Sequence, residues 1–467
     1  MRVQRYNHVH FVGIGGYGMS AIARVLLDLG YTVSGSDVSQ QELTEKLATR
    51  GANVFLGHVR TQVEGADAVV YNTMIAQDNV ELVEARARGI PVLHRSEMLA
   101  QLMDNRQGVA ITGAHGKTTT SSMIAYVMER SGLDPTFVIG GVVSNLGDNA
   151  KAGNGQYVVA EADESDASFL HYRPKIAVVT NVEADHLEHY DGKFSNLLTA
   201  YRTFIKQIPS DGLLVTSAED GNVGSLLEEA QCPVVTFATV PGVSADYTAT
   251  GIQLVDRGSI CDVYEHGVRL GSLQLSLPGV HNIMNALAAI AVARHAGVDF
   301  DSIALALSEF HGAKRRFQVI ADAAGVLVID DYAHHPTEIR ATIAAARAAE
   351  RRIVAVFQPQ RYTRTYFLFD AFAKAFHGAD EVIIVDIFSP AGEKQIEGVS
   401  AERLVERIRE DSNPRTQFIR TKEEVLEYLL ETVHEGDLVL TMGAGDIWKV
   451  AYRLGDALRG EPMRALV

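Results

Sequence analysis

Thr112-Gly113-Ala114-His115-Gly116-Lys117-Thr118-Thr119-Thr120 follows the apolar run Gly108-Val109-Ala110-Ile111 and leads into a helical pattern from Ser122 to Arg130. Strand, glycine turn and helix in that order read as a phosphate-binding loop. The residue types suit the task. Gly113 and Gly116 let backbone N–H groups close around phosphate oxygens, the positive end of the helix favours the anion, and Lys117 reaches the terminal phosphates. Thr118 then stands where such loops hold magnesium. The loop is a shortened G-x-x-G-K-T, with Ile111 where the longer motif has its outer glycine. A Gly-Lys-Thr run before a helix is also what a capped helix N-terminus looks like, so the reading rests on what surrounds it.

Upstream, strand-like His8–Val12 runs into Gly13-Ile14-Gly15-Gly16-Tyr17-Gly18-Met19-Ser20, with helical periodicity from Ala21 to Gly30. A second strand, Tyr31–Ser36, ends in Asp37, about where a nucleotide fold places an acid on ribose hydroxyls. By itself this pattern fits an NAD-dependent dehydrogenase, another nucleotide ligand, or a tight strand-to-helix turn closed by a capping acid. Strand-like Ala68–Asn72 and Pro91–Leu93 alternate with helical Asn79–Arg88 and Glu97–Met103, and Asp104–Gln107 reads as a linker.

Downstream, strands are expected near Thr136–Ile139, Tyr157–Glu161 and Ile176–Thr180, giving a mostly parallel sheet. Two acidic segments end them: Glu161-Ala162-Asp163-Glu164-Ser165-Asp166 and Asn181-Val182-Glu183-Ala184-Asp185-His186. Carboxylates and an imidazole beside a nucleotide's terminal phosphates suit magnesium, a hard cation that keeps oxygen ligands; either segment alone also fits a solvated loop with helix caps. From Asp246 to Leu277 short alternating runs suggest hairpins at a sheet edge. His281 and Asn282 open an apolar helix that they could cap, and the basic turn Lys314–Phe317 closes the region. A third α/β region starts with Gly325–Ile329 and Asp330-Asp331-Tyr332-Ala333-His334-His335-Pro336, then repeats strand and helix through Arg352–Phe357, Glu381–Asp386 and Leu438–Met442. The expected fold class is therefore α/β in three domains: Rossmann-like 1–105, a P-loop ATPase-like 106–315 with a mostly parallel sheet, and Rossmann-like 316–467.

The 467 residues carry a net charge of −16 and no dense Lys/Arg run, which argues against nucleic acid as partner. No segment is long and apolar enough for a membrane span, and no apolar stretch follows Met1–Tyr6 as in a signal peptide, so a cytoplasmic protein is expected. Cys232 and Cys261 lack metal-ligand spacing and read as buried thiols.

With these motifs placed, the chain resembles the Mur ligases of peptidoglycan assembly, nearly end to end. The resemblance is carried by His10–Gly16 with Gly18-Met19-Ser20, Gly35-Ser36-Asp37, His115–Thr119, both acidic segments, Pro278-Gly279 to Asn285, and Arg316-Phe317. It continues in Asp331–Pro336, Phe357-Gln358-Pro359-Gln360-Arg361, Ala391-Gly392-Glu393 and Gly443-Ala444-Gly445-Asp446. It implies an ATP-dependent ligase that joins L-alanine to UDP-N-acetylmuramate, with Mg2+. The glycine loop Gly13, Gly15, Gly16, Gly18 with Met19, Ser36 and Asp37 would then bind the UDP-sugar rather than NAD. The ATP site would comprise Gly113, His115, Gly116, Lys117, Thr118, Thr119, Asn285, Arg316 and Asp331. Thr118 and Glu161 would hold one magnesium and His186 a second. Tyr332, His334, Arg361 and Arg364 would form the amino-acid end, with Lys117, His186, Glu161 and His334 as catalytic groups.

Alanine-adding members of the family often carry histidine where this chain has Gln360, and a frequent threonine is here Ala114. Several relatives carry a carbamylated lysine near the second metal; Tyr201 and Arg202 lie about where it would fall, so no such modification is expected. The alternatives are a ligase of the same architecture for another amino acid or a tripeptide, the dehydrogenase, and a nucleotide-gated binding protein without ligase chemistry.

Overall fold

A computed structural model describes residues 6–104, 106–389 and 393–464. Met1–Arg5, Asn105 of the expected linker and the Ala391-Gly392 pair lie outside those residues. Three sheets follow one another along the chain.

The first has five parallel strands in the order Asn53–Leu56, Thr32–Asp37, His8–Val12, Ala68–Tyr71, Val92–His94. His8–Val12 is central, so the chain reverses its winding beside it and a crevice opens at its carboxyl end. The glycine loop sits there. Helix Tyr17–Asp28 buries Met19, Ile22, Val25 and Leu26, spaced three or four apart on one face.

The second sheet has ten strands, with Gln107–Thr112 between Ile176–Val179 and Tyr157–Glu161, all parallel. The strand of the phosphate loop is thus flanked by the strands that end in the two acidic segments. Leu213–Ser217 and Val234–Ala238 extend the sheet on one side; Thr136–Val143 and Asp148–Lys151 close the other. Tyr247–Val255, Gly258–Glu265 and Val268–Leu275 form the expected run at one edge. Strands buried on both faces carry unbroken apolar sequence, such as Ile176-Ala177-Val178-Val179, rather than alternation. Helix Val280–His295 begins before His281 and Asn282, which are inside its first turn and do not cap it.

The third sheet orders its strands Gln318–Ala323, Val326–Asp331, Asp437–Met442, Arg352–Phe357, Glu381–Ile384, Thr416–Phe418; the first pair is antiparallel and the rest parallel. Apolar clusters cover both of its faces, one around Phe357, Phe372 and Phe376, the other around Val328, Val439 and Leu454.

The chain forms two compact units: 1–251 with 261–273 and 283–310, and 252–260 with 274–282 and 311–467. The first unit holds the N-terminal sheet together with most of the central one. A single apolar cluster runs from Ile22 and Leu26 to Phe169, Tyr172 and Phe204, and an Arg24–Asp148 ion pair ties the first helix to a central strand. Cys232 and Cys261 are free and buried. Among the described residues no helix is long and apolar enough to cross a membrane.

Candidate active site

The phosphate loop is a backbone structure that only glycine allows at two points. Gly113 has φ +132° and Gly116 φ +83°. A Cβ on Gly113 would overlap Thr180 Oγ1, and one on Gly116 would meet Asn285 Oδ1 at 2.5 Å. The next strand end pins the loop: His115 N–H donates to Asn181 Oδ1 at 2.9 Å, while Asn181 Nδ2 and Thr180 Oγ1 both donate to the His115 carbonyl. Helix Lys117–Arg130 starts five residues earlier than the sequence pattern suggests, because Lys117, Thr118 and Thr119 form its first turn. Their N–H groups face back along the axis toward the loop, where an anion is favoured. Asn285 Oδ1 accepts from Thr120 Oγ1 at 3.1 Å, which seats the head of the later helix on this turn.

Thr118 Oγ1 donates to Glu161 Oε2 at 3.2 Å. Ser121 Oγ and the Gly140 N–H hold the other Glu161 oxygen, at 3.2 and 2.7 Å. A hydroxyl and a fixed carboxylate at the mouth of a phosphate loop are hard oxygen donors of the kind magnesium takes, so these two residues fit it. His186 lies in the second acidic segment at φ +53°, its ring between Asp185 (3.5 Å) and Glu188 (3.8 Å). His115 Nε2 lies 2.9 Å from Glu183 Oε2.

Lys117 Nζ is 2.8 Å from Glu164 Oε1 and also donates to the Gly113 carbonyl at 2.5 Å. Burial alone would pull the ammonium down; the Glu164 and Asp163 carboxylates outweigh it and hold the group above the usual lysine range. Asp163 is partly desolvated, yet Arg95 and then Lys117 keep its carboxyl at about 2.

In the N-terminal sheet, the Gly13 and Ile14 N–H groups both donate to the Ser36 carbonyl, at 2.8 and 3.0 Å, and the Gly15 N–H donates to Asp37 Oδ2 at 2.8 Å. Asp37 therefore closes the glycine turn, and a Cβ on Gly15 would strike it. Ser36 Oγ donates to buried Glu81, which also faces His10 at 3.2 Å and His58 at 2.8 Å. Gly16 caps the helix, Met19 is buried beneath it, and Gly18 stands in its first turn.

In the second unit, Asp331 ends its strand with Oδ2 accepting the Phe317 N–H and Oδ1 the Ala333 N–H. Burial raises its carboxyl to about 6, with Arg316 opposing. The Arg315 and Arg316 guanidiniums lie 5.0 and 5.1 Å from the Tyr332 ring centre. His334 Nδ1 lies 2.9 Å from the Tyr332 carbonyl and 3.3 Å from Glu338. A carbonyl can only accept, so Nδ1 carries a proton. Arg361, at φ +67°, precedes helix Tyr362–Phe367, and Arg364 in that helix donates to Gln360 Oε1 at 2.8 Å.

Three family profiles match this chain in succession: "Mur ligase family, catalytic domain" over residues 8–107, "Mur ligase middle domain" over 111–293, and "Mur ligase, glutamate ligase domain" over 315–445. The chain belongs to the Mur ligase family. Mur ligases of known name similar to it include the UDP-N-acetylmuramate–L-alanine ligases of Pelotomaculum thermopropionicum and Symbiobacterium thermophilum. Both are 49% identical; the first match covers 98% of this chain and 99% of the relative, the second 97% and 94%. The crystal structure of the Thermotoga maritima UDP-N-acetylmuramate–alanine ligase superposes with a TM-score of 0.80 at 31% identity, covering 97% of this chain and 99% of that one. The three-domain α/β architecture is that of the family.

In this Mur ligase the structure brings together Gly113, Gly116, Lys117, Thr118, Glu161 and Asn285. Three groups were not singled out from sequence. Glu164 lies in an acidic run where nothing local distinguishes the lysine's partner from its neighbours. Thr180 carries no charge pattern at all, and Asn181 reads from sequence only as the head of the second acidic segment, with nothing to show that it pins the loop. Arg95 sits in His94-Arg95-Ser96-Glu97, which reads as an ordinary helix start; a lone arginine between two nucleotide-type loops was the only available signal. Tyr201, which with Arg202 was expected about where relatives carry a modified lysine, is buried against Phe169 at 5.3 Å between ring centres.

Proposed function

We propose that this chain is an ATP-dependent ligase that forms the amide between L-alanine and the lactyl carboxylate of UDP-N-acetylmuramate, a step in making peptidoglycan precursor. The observation that supports it most is the pairing at the phosphate loop: Lys117 on one side and Thr118 with Glu161 on the other, all fixed on one helix turn and one strand end. The dehydrogenase alternative gives that arrangement no role. Domain limits of 1–105, 106–315 and 316–467 go with this reading, as does a cytoplasmic location, where ATP is held.

A carboxylate is a poor acyl donor because oxide would have to leave. Attack of a lactyl carboxylate oxygen on the γ-phosphorus of ATP releases ADP and leaves an acyl phosphate. The alanine amine then adds to the acyl carbon, and the tetrahedral intermediate collapses by expelling phosphate. Catalysis of this kind is mainly positioning and charge neutralisation. Lys117 faces the terminal phosphates, and the first-turn N–H groups receive them. Magnesium, held by Thr118 and Glu161 with His186 at a second ion, would supply further neutralisation of phosphate charge. The amine must lose a proton before it attacks. His334 is the base in this reading, its ring fixed through Nδ1 so that Nε2 accepts. Arg361 and Arg364 hold the amino acid's carboxylate, which stays free throughout.

The test is phosphate release with UDP-N-acetylmuramate and each of L-alanine, L-serine, glycine and a peptidoglycan tripeptide. Turnover that needs sugar nucleotide and is fastest with L-alanine supports the reading. Turnover fastest with the tripeptide moves the chain to another Mur ligase activity, and turnover without any amine removes the ligase reading.

A further inference from the structure

Arg95 lies in the first turn of helix Arg95–Met103, which follows the last strand of the N-terminal sheet, and its guanidinium reaches two places. Nη2 donates to Asp163 Oδ2 at 2.9 Å, and Asp163 is the one hydrogen-bond partner of Arg95 among the described residues. Nη1 lies 3.5 Å from where a Cβ on Gly18 would stand. Gly18 belongs to the first turn of helix Tyr17–Asp28, whose first internal hydrogen bond is Ser20 N–H to the Gly16 carbonyl. The N–H groups of Tyr17, Gly18 and Met19 precede that bond and face outward from the helix end. Those of Gly13, Ile14 and Gly15 are consumed inside the turn by Ser36 and Asp37. An anion at this loop thus meets the helix end, and the nearest guanidinium is Arg95.

Asp163 is the neighbour of Glu164, the partner of Lys117, and its own charge adds to the field that holds Lys117 protonated. A second strap runs beside the first, since Thr73 Oγ1 donates to Asp166 Oδ2 from the loop after Ala68–Tyr71. Arg95, beside the helix that follows the glycine loop, is therefore linked to the phosphate loop by its contact with Asp163 and, through the main chain, by Glu164, which holds Lys117.

We propose that Arg95 binds the diphosphate of the sugar nucleotide through Nη1 while Nη2 stays on Asp163, so that filling the sugar-nucleotide site steadies the acidic segment that positions Lys117. This rests on the functional reading above for the identity of the nucleotide. A planar fork is what the arrangement requires, because one cation must serve two anions through two different N–H groups at once. The inference makes Asp163 a positioning residue and Arg95 a specificity residue for phosphate over the bare nucleoside.

Calorimetry with uridine, UDP and UDP-N-acetylmuramate on the parent, Arg95→Ala, Arg95→Lys and Asp163→Asn tests it. Loss of a charge-assisted contact should weaken UDP and UDP-N-acetylmuramate about 10- to 100-fold in Arg95→Ala and about tenfold in Arg95→Lys, with uridine changed less than about threefold. Asp163→Asn should keep UDP affinity within about threefold and abolish any tightening of a non-hydrolysable ATP analogue by UDP-N-acetylmuramate that the parent shows. Equal losses for uridine and UDP in Arg95→Ala would mean a purely structural strap, and unchanged UDP affinity in both Arg95 variants would also overturn the proposal. A parent that fails to bind UDP at all would instead count against the functional reading.

Discussion

Lys117 Nζ and Glu164 Oε1 are 2.8 Å apart, and both side chains are largely withdrawn from solvent. In the proposed reading the cation that meets phosphate is thus already paired with a carboxylate before any nucleotide arrives, and incoming phosphates compete with that carboxylate for it. Replacing Glu164 by Gln removes the carboxylate in contact with this largely buried ammonium, so the free protein should lose about 3 kcal/mol of stability. A non-hydrolysable ATP analogue should recover much of that loss by supplying the missing negative charge. Thermal melts with and without the analogue check this; a Glu164→Gln protein as stable as the parent without nucleotide would contradict it.

Lys117→Ala should abolish ligation while leaving UDP-N-acetylmuramate affinity within a few-fold, because the sites proposed for the two nucleotides lie on different glycine loops. The lost contact with transferring phosphate corresponds to about 2 to 4 kcal/mol of transition-state stabilisation. Phosphate-release rates and calorimetric titration with the sugar nucleotide separate the two effects. A large fall in sugar-nucleotide affinity would show that the sites have been exchanged.

The outline of this fold was legible because its signals are local and repeated. Glycine turns between an apolar run and a helix mark the carboxyl ends of parallel strands, as at Val12–Gly18 and Ile111–Lys117. Glu161 and Asn181 were recognisable as strand-end residues for the same reason. The contacts that give Asp37, Glu164 and Arg95 their roles were not legible, since each depends on a partner distant in sequence or on which of several adjacent acids turns inward. Asp37 shows the difference most clearly: the spacing that suggests a ribose ligand also suits an acid that caps the Gly15 N–H, and the structure places it on that N–H.

Asp331 offers a pH signature. Its carboxyl is raised by burial from 3.8 to about 6, so the folded state holds its proton more tightly than the unfolded chain. The resulting stability is fully present below about pH 3.8 and is lost as pH rises through about 6. Asp331→Asn lacks this loss. The melting temperature of Asp331→Asn minus that of the parent should therefore grow between pH 5 and pH 8, whatever the substitution does to the two backbone hydrogen bonds. A constant difference across that range would contradict the buried-carboxyl account.

At the amino-acid end, Gln360 is coupled to an arginine: its Oε1 accepts from Arg364 Nη1 at 2.8 Å. Gln360→Ala should therefore raise the KM for L-alanine in the same direction as Arg364→Lys, with kcat changed less, because the carboxylate is bound alike in ground and transition states. The double variant should show less than the sum of the two effects. Glycine and L-serine should retain measurable turnover, since one methyl group is worth only about 1 to 3 kcal/mol of discrimination. Steady-state kinetics with the three amino acids checks this; full additivity would separate Gln360 from the carboxylate site.

The central claim is that the lactyl carboxylate itself is phosphorylated. UDP-N-acetylmuramate labelled with oxygen-18 in that carboxylate, turned over with ATP and L-alanine, follows the atom directly. Attack by the carboxylate on the γ-phosphorus carries one of its oxygens into the phosphate that the amine later expels. Mass spectrometry of the released phosphate should find one labelled oxygen per turnover, with the other retained in the new amide. Unlabelled phosphate released in step with amide formation would contradict the acyl-phosphate mechanism.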